Sequence, residues 1–321
     1  MYRLVTRSDF DGLVCAMLLE QLELIEQISF AHPRDVQDGS FPISGRDITT
    51  NLPYRSEAHL VFDHHASEVV RTGGRNRDNH VIDETAPSAA RVVYEFFGGA
   101  AVLPAISAEL LRAVDRADSA TYSVEEILHP TGWVLLGFIM DPRTGLGRFH
   151  QFRLSNYELM MRLVEHCREL PIDEVLALPD VAERVALYEA QAGTFREQLE
   201  RCTTERGEVA VVDLRGEETV HAGNRFMVYA LFPTCRASVH VMWGRERKNT
   251  VLAVGKSIFD RTLPADIGTL MLARGGGGHR NAGTCQVPHG DAERVLAEVV
   301  DALNGSDEGG ARPGPGVEAP G

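Results

Sequence analysis

Three textures of apolar and polar positions follow one another along the chain. In the first 120 residues, short apolar runs alternate with polar turns and helical stripes. Leu4-Val5-Thr6 predicts a brief strand, and Leu13 to Leu19 continues toward Leu24 at helical spacing. A strand, an acidic turn and a helix form the opening unit of an α/β domain. Ile28-Ser29-Phe30-Ala31 predicts a second strand, Ile48-Thr49-Thr50 a short β-branched one, and Leu60-Val61-Phe62 the end of a buried one. Pro87 and Ser88 are start signals for an amphipathic helix through Phe97. Another helix is expected from about Ala105 to Val114, ending in the acidic elbow Asp115-Arg116-Ala117-Asp118-Ser119.

The middle, roughly Ser155 to Cys202, is helical throughout. Leu159, Leu163, His166 and Leu170 mark one stripe, and Val181, Val185, Tyr188 and Phe195 another, which reads as a linker helix. After Arg206-Gly207 short strands take over, at Val209–Val212, Met227–Phe232, Ala237–Val241 and Thr250–Val254. Glycine, proline and glutamate dominate from Asn304 on, as in a disordered tail. The fold class is therefore α/β. It comprises an N-terminal, mostly parallel, doubly wound sheet with helices on both faces, a linker helix, and a smaller C-terminal α/β domain with a mixed sheet. The boundaries fall at 1–175, 176–206, 207–303 and 304–321.

Composition narrows the function. At 321 residues the chain can bury two cores, and 44% apolar with 24% charged residues is the balance of a soluble globular protein. No apolar run is long enough to span a bilayer and no signal peptide opens the chain, so a cytoplasmic protein without membrane attachment is expected. Its five cysteines are scattered, without a Cys-x-x-Cys pair, as suits a reducing compartment. A net charge of −14 repels nucleic acid as a whole, so short or single-nucleotide substrates are favoured over long duplexes.

The candidate chemistry lies at predicted strand ends. Asp63-His64-His65 delivers a carboxylate and two imidazoles in succession, a set suited to a divalent metal of the Mn, Zn or Fe type. Asp9 and Asp11 stand two apart in the turn after the first strand; helix capping accounts for one of them more readily than for both. Asp47 is a further acid beside a short strand. Late in the chain, Arg274 is followed by Gly275 to Gly278 and by His279-Arg280-Asn281. Consecutive glycines let backbone amides approach an anion, with cationic groups next to them.

Together these segments resemble the DHH phosphoesterase superfamily, and most closely its exopolyphosphatase-related and nanoRNase-like members. The matching motifs are Asp9-Phe10-Asp11, Asp47 as a lone acid, Asp63-His64-His65, Asp118-Ser119 and Gly276-Gly277-Gly278-His279, in order along nearly the whole chain to about Leu303. The resemblance implies a DHH domain, a DHH-associated substrate-binding domain and an active site in the cleft between them. It implies two Mn²⁺ ions, with Mg²⁺ or Co²⁺ as substitutes. Asp47 would bridge them, Asp9 would serve the first, and Asp11, His64 and Asp118 the second. His65 would contact the scissile phosphate or the leaving oxygen, and Asp63 would orient its neighbours. Gly276, Gly277, Gly278, His279 and Arg280 would close over the substrate, with Lys256 and Ser257 as a further anion contact.

One departure bears on the metals. The family has a histidine just before the first acid pair, whereas Arg7 stands here, which leaves the first ion short of a ligand and offers a fixed cation to phosphate. The expected function is a Mn²⁺-dependent phosphohydrolase acting on short single-stranded oligonucleotides or nucleotide bisphosphates, with a homodimer as the oligomer to test. The alternatives are an exopolyphosphatase, against which the lack of a dense Lys/Arg run argues, and a catalytically impaired nucleotide-binding regulator.

Overall fold

The computed structural model describes residues 1–73, 77–149 and 152–305. By internal contacts the chain forms two units. The first comprises Met1–Phe195 with His221–Arg225, and the second Arg196–Val220 with the chain from Phe226 on.

In the first unit, β1 (Tyr2–Thr6), β2 (Ile25–Phe30), β3 (Asp47–Thr50), β4 (Leu60–Asp63) and β5 (His80–Ile82) form one parallel sheet in the order β2-β1-β3-β4-β5. Adjacent residues serve opposite faces, as the pleat requires. Leu4 and Phe62 join the main core on one face, whereas Val5 and Val61 pack with Val36, Leu52, Tyr54 and Ala58 on the other. α1 (Phe10–Gln21) is buried from Phe10 to Leu19, which is why its apolar residues run all round rather than in a stripe. α2 (Ala89–Phe96), α3 (Ala108–Asp118), α4 (Gly132–Met140) and α5 (Asn156–Glu169) complete the main core through Val93, Leu110, Leu136 and Leu163. The helix expected to end at Val114 continues to Asp118, so that acid sits in a last helical turn rather than in an elbow.

A long helix, α6 (Pro179–Cys202), follows; its Val181, Tyr188 and Phe195 are buried as the stripe predicts. The division between the units falls within it, between Phe195 and Arg196.

In the second unit, β6 (Thr203–Arg206), β7 (Val209–Asp213), β8 (Ala237–Trp243), β9 (Thr250–Lys256), β10 (Gly277–His279) and β11 (Ala282–Val287) form a mixed sheet in the order β10-β11-β9-β8-β7-β6. The run Met227–Phe232, expected as a strand, is instead the helix α7 (Met227–Leu231). Because β7 and β8 are parallel, the chain between them must cross over, and a short apolar run can serve as helix as readily as strand. Two more helices, α8 (Ile267–Leu272) and α9 (Ala292–Asn304), close the core with Ile267, Met271, Val295, Leu296 and Val299. The expected tail from 304 lies outside the described residues beyond Gly305. Among the described residues no helix is long and apolar enough to cross a membrane.

Candidate active site

The strand order of the first unit reverses between β1 and β3, which opens a crevice beyond their C-terminal ends, the usual ligand position in such sheets. The two ends are tied together there, since Thr50 Oγ1 donates to Thr6 Oγ1 at 2.7 Å. After β1 the chain turns sharply into α1. A Cβ on Gly12 would come within 2.0 Å of the Arg7 carbonyl oxygen, so only glycine allows the helix to start so close to the strand. Asp9 caps this helix, accepting from Gly12 N at 3.0 Å through Oδ1, and its Oδ2 pairs with Arg7 Nε at 3.1 Å.

Asp11, 2% exposed, points across to a second helix start. Its Oδ1 accepts from Ala90 N at 2.8 Å, and its Oδ2 from Ala89 N at 3.1 Å and Asn51 Nδ2 at 2.8 Å. The amides at the start of α2, which Ser88 caps, thus hold this carboxylate in place. Asn51 follows β3 with φ of 55°, a left-handed conformation asparagine tolerates better than most residues.

At the end of β4, Asp63 is fully buried. Its Oδ1 accepts from the backbone amides of His64 at 2.8 Å and His65 at 3.3 Å, and pairs with His65 Nδ1 at 2.7 Å. Asp63 therefore shapes the histidine turn. His64 directs Nδ1 at the Ala86 carbonyl, 3.2 Å away, which leaves Nε2 to face Asp118. That Nε2 is buried, makes no directed hydrogen bond, and lies 2.8 Å from Asp118 Oδ2.

Asp11, His64 and Asp118 each offer one donor atom, and these atoms all lie within 4.8 Å of one another. Electrostatics point the same way. Burial, together with the charges of Asp118 and Asp9, pushes the Asp11 carboxyl up to about 7 against the pull of His64. Burial opposes charge on His64, but Asp118, Asp11 and Asp63 outweigh it and lift the imidazolium to about 9. Burial likewise opposes charge on Asp118, and its contact with His64 nonetheless holds it below the usual carboxylate range. Two acids and an imidazole in such proximity need a shared cation or protons. An imidazole nitrogen 2.8 Å from one carboxylate and close to a second fits a divalent ion of nitrogen and oxygen preference.

Of the residues expected here, Arg7, Asp9, Asp11, Asp63, His64, His65 and Asp118 lie about this crevice. Asp47 does not. It is the first residue of β3, at the opposite edge of the sheet, and sits in register with Arg3, whose Nε and Nη2 bind its two oxygens at 2.7 and 2.9 Å. The polar residue that β3 does bring to the crevice is Asn51, unflagged in the sequence because a four-residue strand places its two flanking polar residues at opposite edges. Arg143 was also missed. Its guanidinium, about half exposed, donates to Asp141 Oδ1 at 2.7 Å, and its charge acts on Asp9 and Asp118.

In the second unit the glycine run is a strand of a hairpin rather than a loop. Gly276 backs onto Thr284, whose carbonyl oxygen would lie 2.0 Å from any added Cβ, and Gly277 to His279 pair with β11. Close packing thus accounts for part of the glycine content. Gly278, His279 and Arg280 are exposed, and Arg280 helps to lower the Lys256 pKa, mainly a result of burial. Lys256 Nζ donates to the Leu263 carbonyl at 3.0 Å, and Ser257 Oγ accepts from Phe259 N and Asp260 N, so Ser257 serves the local turn.

A parallel sheet with an acid and histidine cluster at its switch point, followed by a mixed-sheet unit, is the architecture of a two-unit phosphoesterase. No family model matches the chain, and the search of curated proteins returned no relative. Among solved structures it is similar to a pGpG-specific phosphodiesterase from Vibrio cholerae, at 53% identity and a TM-score of 0.82, covering 95% of this chain and 100% of that one. An exopolyphosphatase-related protein from Bacteroides fragilis shares the fold at 12% identity and a TM-score of 0.51, over 94% and 92% of the two chains. The chain belongs to the DHH phosphoesterase superfamily and is a phosphoester hydrolase.

Proposed function

We propose that the protein hydrolyses the linear dinucleotide pGpG to two molecules of GMP, with a divalent ion of the Mn²⁺ type bound by Asp11, His64 and Asp118. The observation that carries this reading is the 53% identity to a pGpG-specific phosphodiesterase over nearly the whole of both chains. The cluster at the switch point supports it from the chemistry side.

Bound there, the ion would polarise the phosphate and supply an activated water. Water oxygen bonds to phosphorus and the P–O3′ bond breaks, which leaves a 5′-phosphate on one guanosine and a 3′-hydroxyl on the other. Asp63 fixes His65 through Nδ1, and His65 Nε2 is assigned to the departing O3′, which takes a proton as it leaves. Arg7 and Arg143 offer positive charge to the phosphate in a protein whose net charge of −14 would otherwise repel it. Gly276, Gly277, Gly278, His279, Arg280 and Lys256 of the second unit are proposed to bind the rest of the substrate.

The test is a hydrolysis panel on purified protein with and without Mn²⁺, containing pGpG, a pyrimidine dinucleotide, 3′-phosphoadenosine 5′-phosphate and polyphosphate. Release of GMP from pGpG in preference to the other products, abolished by Asp118→Asn, is the expected result. Phosphate release from polyphosphate alone would overturn the reading in favour of an exopolyphosphatase.

A further inference from the structure

Among the described residues, the crevice gathers one group of three ligand atoms. Asp11, His64 and Asp118 converge on a single position. A second ion on the other side of Asp11 would draw on Asp9, which already shares Oδ2 with Arg7, and on the residue that follows β3, which brings no negative charge. Asp9 accepts from Gly12 N through Oδ1 and pairs with Arg7 through Oδ2. After β3 comes Asn51, a neutral side chain only 1% exposed, which turns its amide NH₂ toward Asp11 Oδ2 at 2.8 Å. A donor thus faces Asp11, and the buried Asn51 Oδ1, which makes no hydrogen bond, brings a neutral oxygen and no second negative charge. Asp47, the other acid of that strand, is bound to Arg3 at the far edge of the sheet.

Charge gives the same answer. Arg7 is 26% exposed in its side chain and cannot lose its proton. Asp9, Asp11, Asp63 and Asp118 can carry four negative charges and Arg7 one positive, so a single divalent ion leaves the set with one negative charge. A second would reverse the sign of the set beside a guanidinium fixed within hydrogen-bonding distance of Asp9. Arg143 does not alter this sum, because Asp141 already pairs with it.

We propose that this is a one-ion phosphodiesterase in which the Arg7 guanidinium, anchored by Asp9, stands where a second metal would otherwise sit and takes over its role of binding a phosphoryl oxygen. The inference rests on the reading of Asp11, His64 and Asp118 as metal ligands. It makes Asn51 a positioning residue, which holds Asp11 on the side of the single ion.

The test counts ions before it measures turnover. Metal-free protein is titrated with Mn²⁺, bound metal per chain is determined by elemental analysis, and electron paramagnetic resonance distinguishes an isolated Mn²⁺ from a spin-coupled pair. One equivalent with an uncoupled signal is expected for the wild-type protein. Arg7→Gln should still bind one equivalent while kcat/KM on pGpG falls by about 10²-fold, as when an electrostatic donor to the transition state is lost. The double variant Arg7→His with Asn51→Asp supplies an imidazole and a bridging carboxylate, and should bind two equivalents and develop a coupled signal.

Two coupled ions in the wild-type protein would overturn the proposal. A double variant that folds, as judged by circular dichroism, yet still binds one ion would overturn the role given to Arg7 and Asn51. Binding of no Mn²⁺ at all would defeat the metal reading itself. One ion bound without hydrolysis of pGpG would defeat the substrate assignment and leave the one-ion centre standing.

Discussion

The two edges of the first unit's parallel sheet both carry acids, and they treat them in opposite ways. At the N-terminal edge Asp47 is 2% exposed in its side chain, held by the Arg3 guanidinium through both oxygens and by Ser44 N at 2.6 Å and Ser44 Oγ at 3.0 Å. Burial would raise its pKa, but these donors more than offset it and hold the carboxyl below the usual range. At the C-terminal edge Asp11 and Asp118 face each other and His64, with no arginine in contact with any of the three among the described residues, and burial pushes the Asp11 carboxyl up to about 7. An acid that brings its own counter-charge serves the fold. Two acids that share one imidazole and contact no arginine among the described residues are suited to a cation that comes from solution, at a cost to the unliganded protein.

If that contrast is right, its largest consequence is at Asp118. The Asp118→Asn substitution should reduce kcat/KM on pGpG by on the order of 10³-fold, since a ligand and a negative charge leave the ion together. Mn²⁺ is expected to raise the Tm of the wild-type protein, and the substitution should abolish that rise. A substituted protein that still gains thermal stability from Mn²⁺ would show that the ion binds elsewhere.

A smaller effect is expected from Asp63→Asn. Asp63 touches no ligand position; it fixes the His64 and His65 amides and the His65 ring. Loss of such an outer hydrogen bond costs about 10- to 100-fold in activity. The metal equivalence should stay at the wild-type value. Loss of the ion on this substitution would mean that Asp63 ligates through Oδ2, which is buried without a hydrogen bond.

The sequence disclosed the C-terminal edge far better than the N-terminal one. Asp9, Asp11, Asp63, His64 and His65 were legible because they come within a few residues of the C-terminal end of a short apolar run, and parallel strands present such residues at one edge. The doubly wound sheet and the mixed second sheet were legible from the same alternation. Asp47 misled because a carboxylate beside a β-branched run looks the same in sequence whether it precedes the strand or follows it. Only the register with Arg3, set by the parallel pairing of β1 and β3, decides between them. Asn51 and Arg143 carried no signal of their own, since one depends on that register and the other on how the chain after α4 returns to the crevice. Met227–Phe232 failed for a different reason: its composition suits both helix and strand, and the parallel neighbour that forces a crossover lies outside the run.

The N-terminal edge gives the converse test, with the smallest expected effect on catalysis. Asp47→Asn keeps the shape of the side chain and removes the charge that Arg3 and Ser44 were placed to meet. Arg3, 27% exposed in its side chain, is left with the Pro42 carbonyl as its other hydrogen-bond partner. A loss of roughly 2 kcal/mol in unfolding free energy is expected, below the range for a fully buried pair because Arg3 retains some water. Activity per folded molecule and the Mn²⁺ equivalence should be unchanged. The pH dependence has a definite sign. Since the folded-state pKa of Asp47 is depressed, its contribution is complete above the unfolded carboxylate range near 4 and is lost as the pH falls through the folded value. Denaturant unfolding should therefore separate wild-type and Asp47→Asn proteins by this margin at pH 7, and the two curves should converge in acid. A substituted protein as stable as wild type but inactive would reverse the comparison, making Asp47 part of the site and Arg3 its attendant.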